Sequence, residues 1–170
     1  MNIFATSNCP KQCAQALDNL RLPKMVLESA QMICTALRAN GITHDWLYKE
    51  AHLNHPCSIW TRETRANFVW LCRHGRELAL EHHRRRGHWH KSLQIIDAAY
   101  PLCIHIPKGN LTPFVNCTTN FKHIKNVHEA YRLQMGVKWN NDLKSPTWTG
   151  GKKFKWIDRV IKQTRGLSYA

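Results

Sequence analysis

Apolar residues recur at helical spacing between Leu20 and Arg38, and this stretch is the clearest element that the pattern predicts. Pro23 suits the first turn of a helix, and Gly41 is typical of the position just past a helix end. The apolar positions form one wide stripe that would face a core: Leu22, Met25, Val26, Ala30, Ile33, Ala36 and Leu37.

A narrow polar strip runs along the same predicted helix, because Lys24, Glu28, Gln31 and Thr35 are three or four residues apart. One interpretation is a surface edge with an ordinary Lys–Glu pair. The other is the floor of a polar cleft, in which an acid and an amine lie close together. The spacing alone leaves both open.

Helical periodicity and end signals recur along the rest of the chain. Gly75 is a weak point at which the longest of the predicted helices would kink or break in two, whereas Gly136 marks a helix end. Residues 101–119 predict an ordered loop. The further helices are predicted from about Pro10 through Leu20, from about Pro56 to Arg85, from Ser92 through Tyr100, from Asn126 through Met135, and in the segment that begins at Pro146.

These elements predict an all-α protein, a compact single-domain helical fold of about six helices with long ordered loops. No repeat or linker divides the chain. We expect residues 1–150 to form the main helical domain, and residues 151–170 to form a basic amphipathic helix packed on it.

Charge then narrows the class of partner. The 170 residues contain 25 Lys and Arg against 11 Asp and Glu, a formal charge of +14, with seven Trp spread through the basic sequence. This balance favours a polyanion, most simply nucleic acid. No apolar run approaches the length of a membrane span, and the start lacks a signal peptide. We expect a monomeric cytoplasmic protein that does not bind membranes.

The seven cysteines are too irregular for a secreted disulfide framework, so they predict reduced thiols. Cys9 and Cys13 lack the two further ligands of a zinc site. His88 and His90 have no neighbouring carboxylate to support a metal. The sequence therefore predicts no metal and no cofactor.

The densest basic block is residues 82–91, which would be either a solvated loop after a helix C-terminus or a phosphate clamp with an aromatic plane. Trp89 is the preferred stacking residue, with Trp148 as an alternative, while Trp60 on an apolar face indicates core packing. The candidate nucleic-acid contacts are Arg21, Gln31, Asn54, Arg62, Arg65, Arg84, Arg85, Arg86, His88, Trp89, His90, Lys91, Trp148, Lys152, Lys153 and Lys155.

Familiar hydrolase, nucleotide-binding and zinc-enzyme motifs are absent. The groups left for chemistry are the helical carboxylate of Glu28, the nearby amine of Lys24, the chain's own α-amine at Met1, and histidines, of which His55 is the candidate. His55 precedes Pro56 at a predicted helix N-terminus. There its side chain would meet a phosphate or a leaving base, cap the helix, or fill a polar pocket.

The order of several motifs carries a resemblance. An apolar start precedes Leu27-Glu28-Ser29-Ala30-Gln31, then Asn54-His55-Pro56, then a long predicted helix that ends in a basic stretch before Lys91-Ser92. This order resembles the pyrimidine-dimer DNA glycosylase family of the phage endonuclease V type, over about residues 1–92. Ile59-Trp60-Thr61-Arg62-Glu63 extends the similarity, to about residue 148, to a group of uncharacterised phage proteins.

The resemblance implies a helical enzyme, acting on double-stranded DNA without a cofactor, that flips a base, attacks the sugar carbon with an amine and breaks the strand by β-elimination. Glu28 matches the family's glutamate, which stabilises the sugar cation and moves protons. In the best-understood members the amine is exposed when Met is removed before a small residue. Asn2 is a poor context for that removal, so the nucleophile would be the Met1 amine or Lys24.

Three functions follow as alternatives. The first is a DNA glycosylase, with lyase activity through an imine, that acts on a damaged or modified base. The second uses the same cleft to attach an amino acid or amine to a hypermodified thymine in phage DNA. The third is a non-catalytic nucleic-acid-binding protein. The first two predict an enzyme, and phage origin would place it in the host cytoplasm.

Overall fold

A computed structural model describes residues 1–151 and 153–169, and within these ranges it contains helices and loops but no strand. The predicted all-α class is confirmed. No helix in this part of the chain has both the length and the apolarity needed to cross a lipid bilayer. The helices are α1 (Pro10–Ala16), α2 (Arg21–Ala39), α3 (Pro56–Glu63), α4 (Arg65–Arg86), α5 (Ser92–Ala99), a 3₁₀ helix (Tyr100–His105), α6 (Val127–Asn141) and α7 (Lys155–Gln163).

Helix α2 lies at the centre, where it packs against α3, α4 and α5. Every residue of the predicted apolar stripe is buried. Gly41 follows the helix with a φ of 83°, a left-handed conformation that glycine adopts without steric cost. The hydrophobic pattern therefore predicted the central element correctly, because one continuous face of α2 contributes to the core.

The predicted single helix from Pro56 to Arg85 is wrong, because the chain breaks at Thr64 and not at Gly75. Thr64 has an extended backbone, and its Oγ1 caps α4 by accepting from the Asn67 N–H at 3.1 Å. The Arg65 N–H donates to the Pro107 carbonyl at 2.7 Å. In a continuous helix the Arg65 and Asn67 N–H groups would donate to carbonyls of the same helix. Here each N–H group has a different partner, so the chain forms two separate helices on either side of Thr64.

Two further helix ends differ from the prediction. Helix α1 stops at Ala16, and Leu20 lies outside it. Asn126 caps α6 as predicted, but α6 continues past Met135 to Asn141. Gly136 lies inside α6, at the point where α7 crosses the helix. A side chain would not fit there, because a Cβ on Gly136 would come 2.6 Å from Thr164 Oγ1 and 2.7 Å from the Val160 carbonyl oxygen.

Gly136→Ala should lower the free energy of unfolding by about 1–3 kcal/mol, the usual effect of overpacking. The obstacle is backbone in α7, which cannot rotate away. Gly75→Ala is the matched control, because its Cβ would meet the terminal Cδ1 of Ile96, a flexible atom, at 2.7 Å. Urea unfolding of both variants measures the difference, and an equal loss would contradict the close α6–α7 contact.

Trp60 is 1% exposed and lies in the core, where it packs on Phe114 with ring centroids 5.0 Å apart and edge-on to Trp70 at 6.0 Å. Its interpretation as a core residue is confirmed. It is therefore not available to stack on a base without unfolding of the surrounding helices.

Candidate active site

A cleft of about 510 Å³ opens between the N-terminal segment, the first half of α2, α6 and the segment after α7. Its walls combine cationic, aromatic and apolar side chains around a single carboxylate. The lining residues are Met1, Asn2, Phe4, Leu20, Arg21, Lys24, Met25, Glu28, Lys138 and Tyr169.

Glu28 brings two backbone nitrogens and one lysine together in this cleft. Its Oε2 accepts from the Asn2 backbone N–H at 2.9 Å and lies 3.5 Å from the Met1 α-amine nitrogen. Its Oε1 lies 3.8 Å from Lys24 Nζ. The Glu28 side chain is 11% exposed and the Lys24 side chain 72% exposed. The Glu28 side chain is thus largely shielded from water, whereas the Lys24 side chain is open to it.

The first residues of the chain are held in a tight turn that sets the position of this amine. Asn2 Oδ1 accepts from the N–H groups of Ile3 at 2.7 Å and Phe4 at 3.0 Å. Phe4 has a φ of 51°, which costs a bulky residue about 1–3 kcal/mol. The Phe4 ring is buried edge-on to Tyr131. The packing and the turn hydrogen bonds together offset the backbone strain.

His55 caps α3, since its Nδ1 accepts from the Cys57 N–H at 3.1 Å. Burial lowers the pKa of His55 below its usual value, and the N-terminal ammonium group lowers it further, while Glu28 acts in the opposite direction. The imidazole is therefore neutral near pH 7. Of the interpretations left open for His55, the helix cap is the one the structure shows.

The rest of the polar strip on α2 lies away from the cleft. Thr35 is buried, and its hydroxyl donates to the Ala51 carbonyl and accepts from the Ala51 N–H. Gln31 is half-buried and does not line the cleft. Only the end of the strip that carries Lys24 and Glu28 belongs to the site.

Two cleft residues lie far along the sequence and were not predicted. The Lys138 ammonium nitrogen lies 3.9 Å from the Tyr169 ring centroid and 5.9 Å from that of Phe4. A hydrogen bond with Lys138 lowers the pKa of Tyr169. Lys138 lies beyond the predicted end of α6, so the sequence offered no sign that it would face Glu28.

Two basic segments that are distant in sequence meet beside the cleft. Asn19 donates from its backbone N–H to the Thr147 carbonyl at 2.8 Å, and from its side chain to Thr147 Oγ1 and Thr149 Oγ1. Arg84 donates to the Gly150 carbonyl. Leu20, the next residue after Asn19, lines both the cleft and a neighbouring groove that contains Arg86. The end of α4 and the segment before α7 thus flank the cleft entrance.

Several predicted DNA contacts have their guanidinium groups bonded within the protein. Arg85 has a side chain that is 1% exposed, and it binds Glu81 and the Leu17 carbonyl. Arg21 is paired with Asp18 and Asp142. Arg62 donates to the Leu53 carbonyl at 2.6 Å, and Arg65 donates to the Ile104 carbonyl at 2.8 Å. In these positions the four arginines stabilise the fold.

Other predicted contacts face solvent. Trp89 is 50% exposed and stacks on His83 with ring centroids 4.0 Å apart. His90 accepts from the Ser92 N–H, and half-buried Trp148 donates to the Ala16 carbonyl. Lys152 lies outside the described residues. The remaining candidates are exposed: Asn54, Arg84, Arg86, His88, Lys91, Lys153 and Lys155.

One group of soft metal-ligand atoms occurs in residues 1–151 and 153–169, and it is neither pair considered from the sequence. It consists of His55, Cys57 and Cys117, whose donor atoms lie within 4.8 Å of one another. Cys57 Sγ donates to Cys117 Sγ at 3.5 Å. That hydrogen bond raises the pKa of Cys57 far above its usual value and lowers the pKa of Cys117 to about 7.

The first helices and most of the cleft lie in the part of the chain that matches a known family. The sequence profile of the family described as pyrimidine dimer DNA glycosylase matches residues 1–96, slightly more than half of the chain. Comparisons with curated proteins and with solved structures give no match. The matched segment carries the α-amine, Lys24, Glu28 and His55. The resemblance drawn from the motif order is confirmed, and the chain belongs to the pyrimidine dimer DNA glycosylase family of DNA-acting enzymes.

Proposed function

We propose that this protein is a DNA glycosylase with lyase activity that acts, as a monomer, on pyrimidine dimers in double-stranded DNA. The observation that carries the proposal is the placement of the Met1 α-amine 3.5 Å from Glu28 Oε2 in the cleft. A neutral amine and a carboxylate are the two groups that imine-forming base excision requires. The family description supplies the substrate class.

The geometry favours the α-amine over Lys24 as the nucleophile. α-Amines have a reference pKa of about 7.7–8.0, against about 10.4 for lysine, so an α-amine is more often neutral near pH 7. A nucleophilic lysine is ordinarily desolvated in an apolar pocket, but the Lys24 side chain is 72% exposed. Lys24 is better placed to contact a phosphate or to orient Glu28.

In the proposed reaction the amine lone pair attacks C1′ of the damaged nucleotide, and the C1′–N bond electrons leave with the base, which takes up a proton. The attached nitrogen loses one proton, the C1′–O4′ bond breaks as O4′ gains a proton, and a protonated C1′=N imine forms. Removal of a C2′ proton then expels the 3′ phosphate. Glu28 stabilises the positive charge on the sugar and relays these protons.

DNA would approach along the surface that joins the cleft to the groove beside it. Arg86 and Lys144 line that groove. Lys153 and Lys155 are exposed farther along the same segment of the chain. Their charge suits phosphate contacts. Leu20 is 67% exposed at the boundary between cleft and groove. An apolar side chain at this point is suited to fill the space that an extruded base leaves in the stack.

Borohydride trapping tests the function directly. Incubation with duplex DNA that contains one cyclobutane pyrimidine dimer should give a covalent protein–DNA adduct, because borohydride reduces the imine to a stable amine. Undamaged duplex of the same sequence is the control. Absence of an adduct on dimer-containing DNA, under conditions where the protein binds it, would contradict the proposal.

Leu20→Ala should slow adduct formation by about ten- to a hundredfold, because unstacking a base step costs a few kcal/mol and the wedge offsets part of that cost. Affinity for undamaged duplex should stay unchanged, since phosphate contacts remain. Leu111→Ala is the matched control, an exposed leucine that does not line the cleft. Equal rates for the two variants in single-turnover trapping would exclude Leu20 as the wedge.

A further inference from the structure

His55, Cys57 and Cys117 bring three soft donor atoms together from two parts of the chain. His55 and Cys57 flank the start of α3, and Cys117 lies in the loop between the 3₁₀ helix and α6. One donor atom from each residue lies within 4.8 Å of the other two. Imidazole and thiolate are the preferred ligands of zinc and similar divalent ions.

The separation of the two sulfurs fits a shared ion. The Cys57 and Cys117 Sγ atoms are 3.5 Å apart. Two thiolates on one tetrahedral zinc, each about 2.3 Å from the metal, lie about 3.8 Å apart. A disulfide would need about 2.05 Å. The observed spacing is thus much closer to that of two ligands of one ion than to that of a covalent bond.

The loop that carries Cys117 is fixed independently of any ion. The Cys117 N–H donates to the Tyr131 hydroxyl at 3.1 Å, and that hydroxyl donates to the Val115 carbonyl at 2.8 Å. Tyr131 is 1% exposed. The site is therefore preorganised, because Cys117 is held opposite α3 by a buried side chain from α6.

His55 presents a suitable nitrogen. Its Nδ1 accepts from the Cys57 N–H, so in the neutral ring the proton is on Nε2. One of its ring nitrogens lies within 4.8 Å of both sulfurs. Binding through Nδ1 keeps this tautomer and replaces one hydrogen bond. Cys57 is fully buried and Cys117 half-buried, so an ion would enter from the Cys117 side.

We propose that Nδ1 of His55 and the sulfurs of Cys57 and Cys117 bind one soft divalent cation of the zinc class. The two thiols lose their protons to solvent as the ion binds. Three protein ligands leave a fourth position for water. The ion links α3 to the 106–126 loop, and it thereby stabilises the contact between these two parts of the chain. It takes no part in the imine chemistry.

Cobalt titration of the reduced, metal-free protein tests this site without DNA. The wild-type chain should bind one equivalent of Co²⁺ with a sulfur-to-cobalt charge-transfer absorption, and Zn²⁺ should abolish the absorption and raise the Tm. Cys117→Ser should lose the charge-transfer band and the Zn²⁺-dependent rise in Tm. Cys103→Ser, which alters another partly buried free thiol, should retain both.

Three results would overturn the proposal: no stoichiometric Co²⁺ binding by the wild-type chain, an unchanged spectrum in Cys117→Ser, or a Cys57–Cys117 disulfide in a protein that binds no metal. Circular dichroism shows whether each variant is folded, and Cys117→Ala provides a second truncation of the same ligand. Because these measurements need no DNA, their failure is distinguishable from failure of the proposed glycosylase activity.

Discussion

Glu28→Gln should slow formation of the trapped adduct by about 10²–10⁴-fold, the range for loss of a catalytic acid–base group. The amide is uncharged, so it neither stabilises a cationic sugar nor relays protons. The amide oxygen can still accept the Asn2 N–H, which Glu28 Oε2 now accepts at 2.9 Å, so the turn at the start of the chain should persist. Single-turnover trapping on dimer-containing duplex measures the rate.

The matched control for this substitution is Glu50→Gln, which changes the net charge equally at an exposed position. Both variants should bind undamaged duplex with the same affinity and the same dependence on salt, because the loss of one carboxylate alters the overall charge alike in each. If Glu28→Gln trapped DNA as fast as Glu50→Gln, Glu28 would have no role in the chemistry.

Occupying the α-amine should reduce adduct formation to background. The chain is extended by a few residues that end in a protease site directly before Met1. The extension converts the α-amine into an amide, which has no nucleophilic lone pair, and cleavage leaves Met1 as the first residue. Protease treatment should restore trapping in the same sample. Lys24→Ala should keep adduct formation, since its exposed ammonium group is not the proposed nucleophile.

The opposite pattern would assign the nucleophile to Lys24: an extended chain that still traps DNA, together with a Lys24→Ala chain that does not. Peptide mapping of the reduced adduct identifies the modified nitrogen in either case. This experiment therefore separates the identity of the nucleophile from the existence of the imine, which the trapping experiment tests.

The sequence predicted those elements of the fold whose signals are local. The apolar stripe of α2 and the Asn126 cap of α6 each depend on residues within a few positions of one another. The break at Thr64 was missed because the hydrophobic period continues across it. The helix is interrupted because the Arg65 N–H donates to the Pro107 carbonyl, which lies about forty positions away in the sequence.

The candidate site shows the same difference between residues that local sequence signals identify and residues that distant contacts bring in. Glu28 and the start of the chain were found from motif order, and Lys24 follows from helical spacing. Lys138 lies in the part of α6 that extends past its predicted end, and Tyr169 comes from the segment after α7 that returns to the cleft. Among the arginines, charge alone could not separate Arg85, which is enclosed by Glu81 and backbone carbonyls, from exposed Arg86.

The turn at Asn2 has a consequence for how the polypeptide is matured. Glu28 Oε2 contacts both the Met1 nitrogen and the Asn2 nitrogen, and the side chain of Asn2 anchors the turn without help from Met1. A chain one residue shorter would therefore still present a terminal amine to the same carboxylate. In a preparation that contains both chains, one beginning at Met1 and one at Asn2, both should form the adduct. The intact mass of the trapped protein would then show two adducts that differ by one methionine.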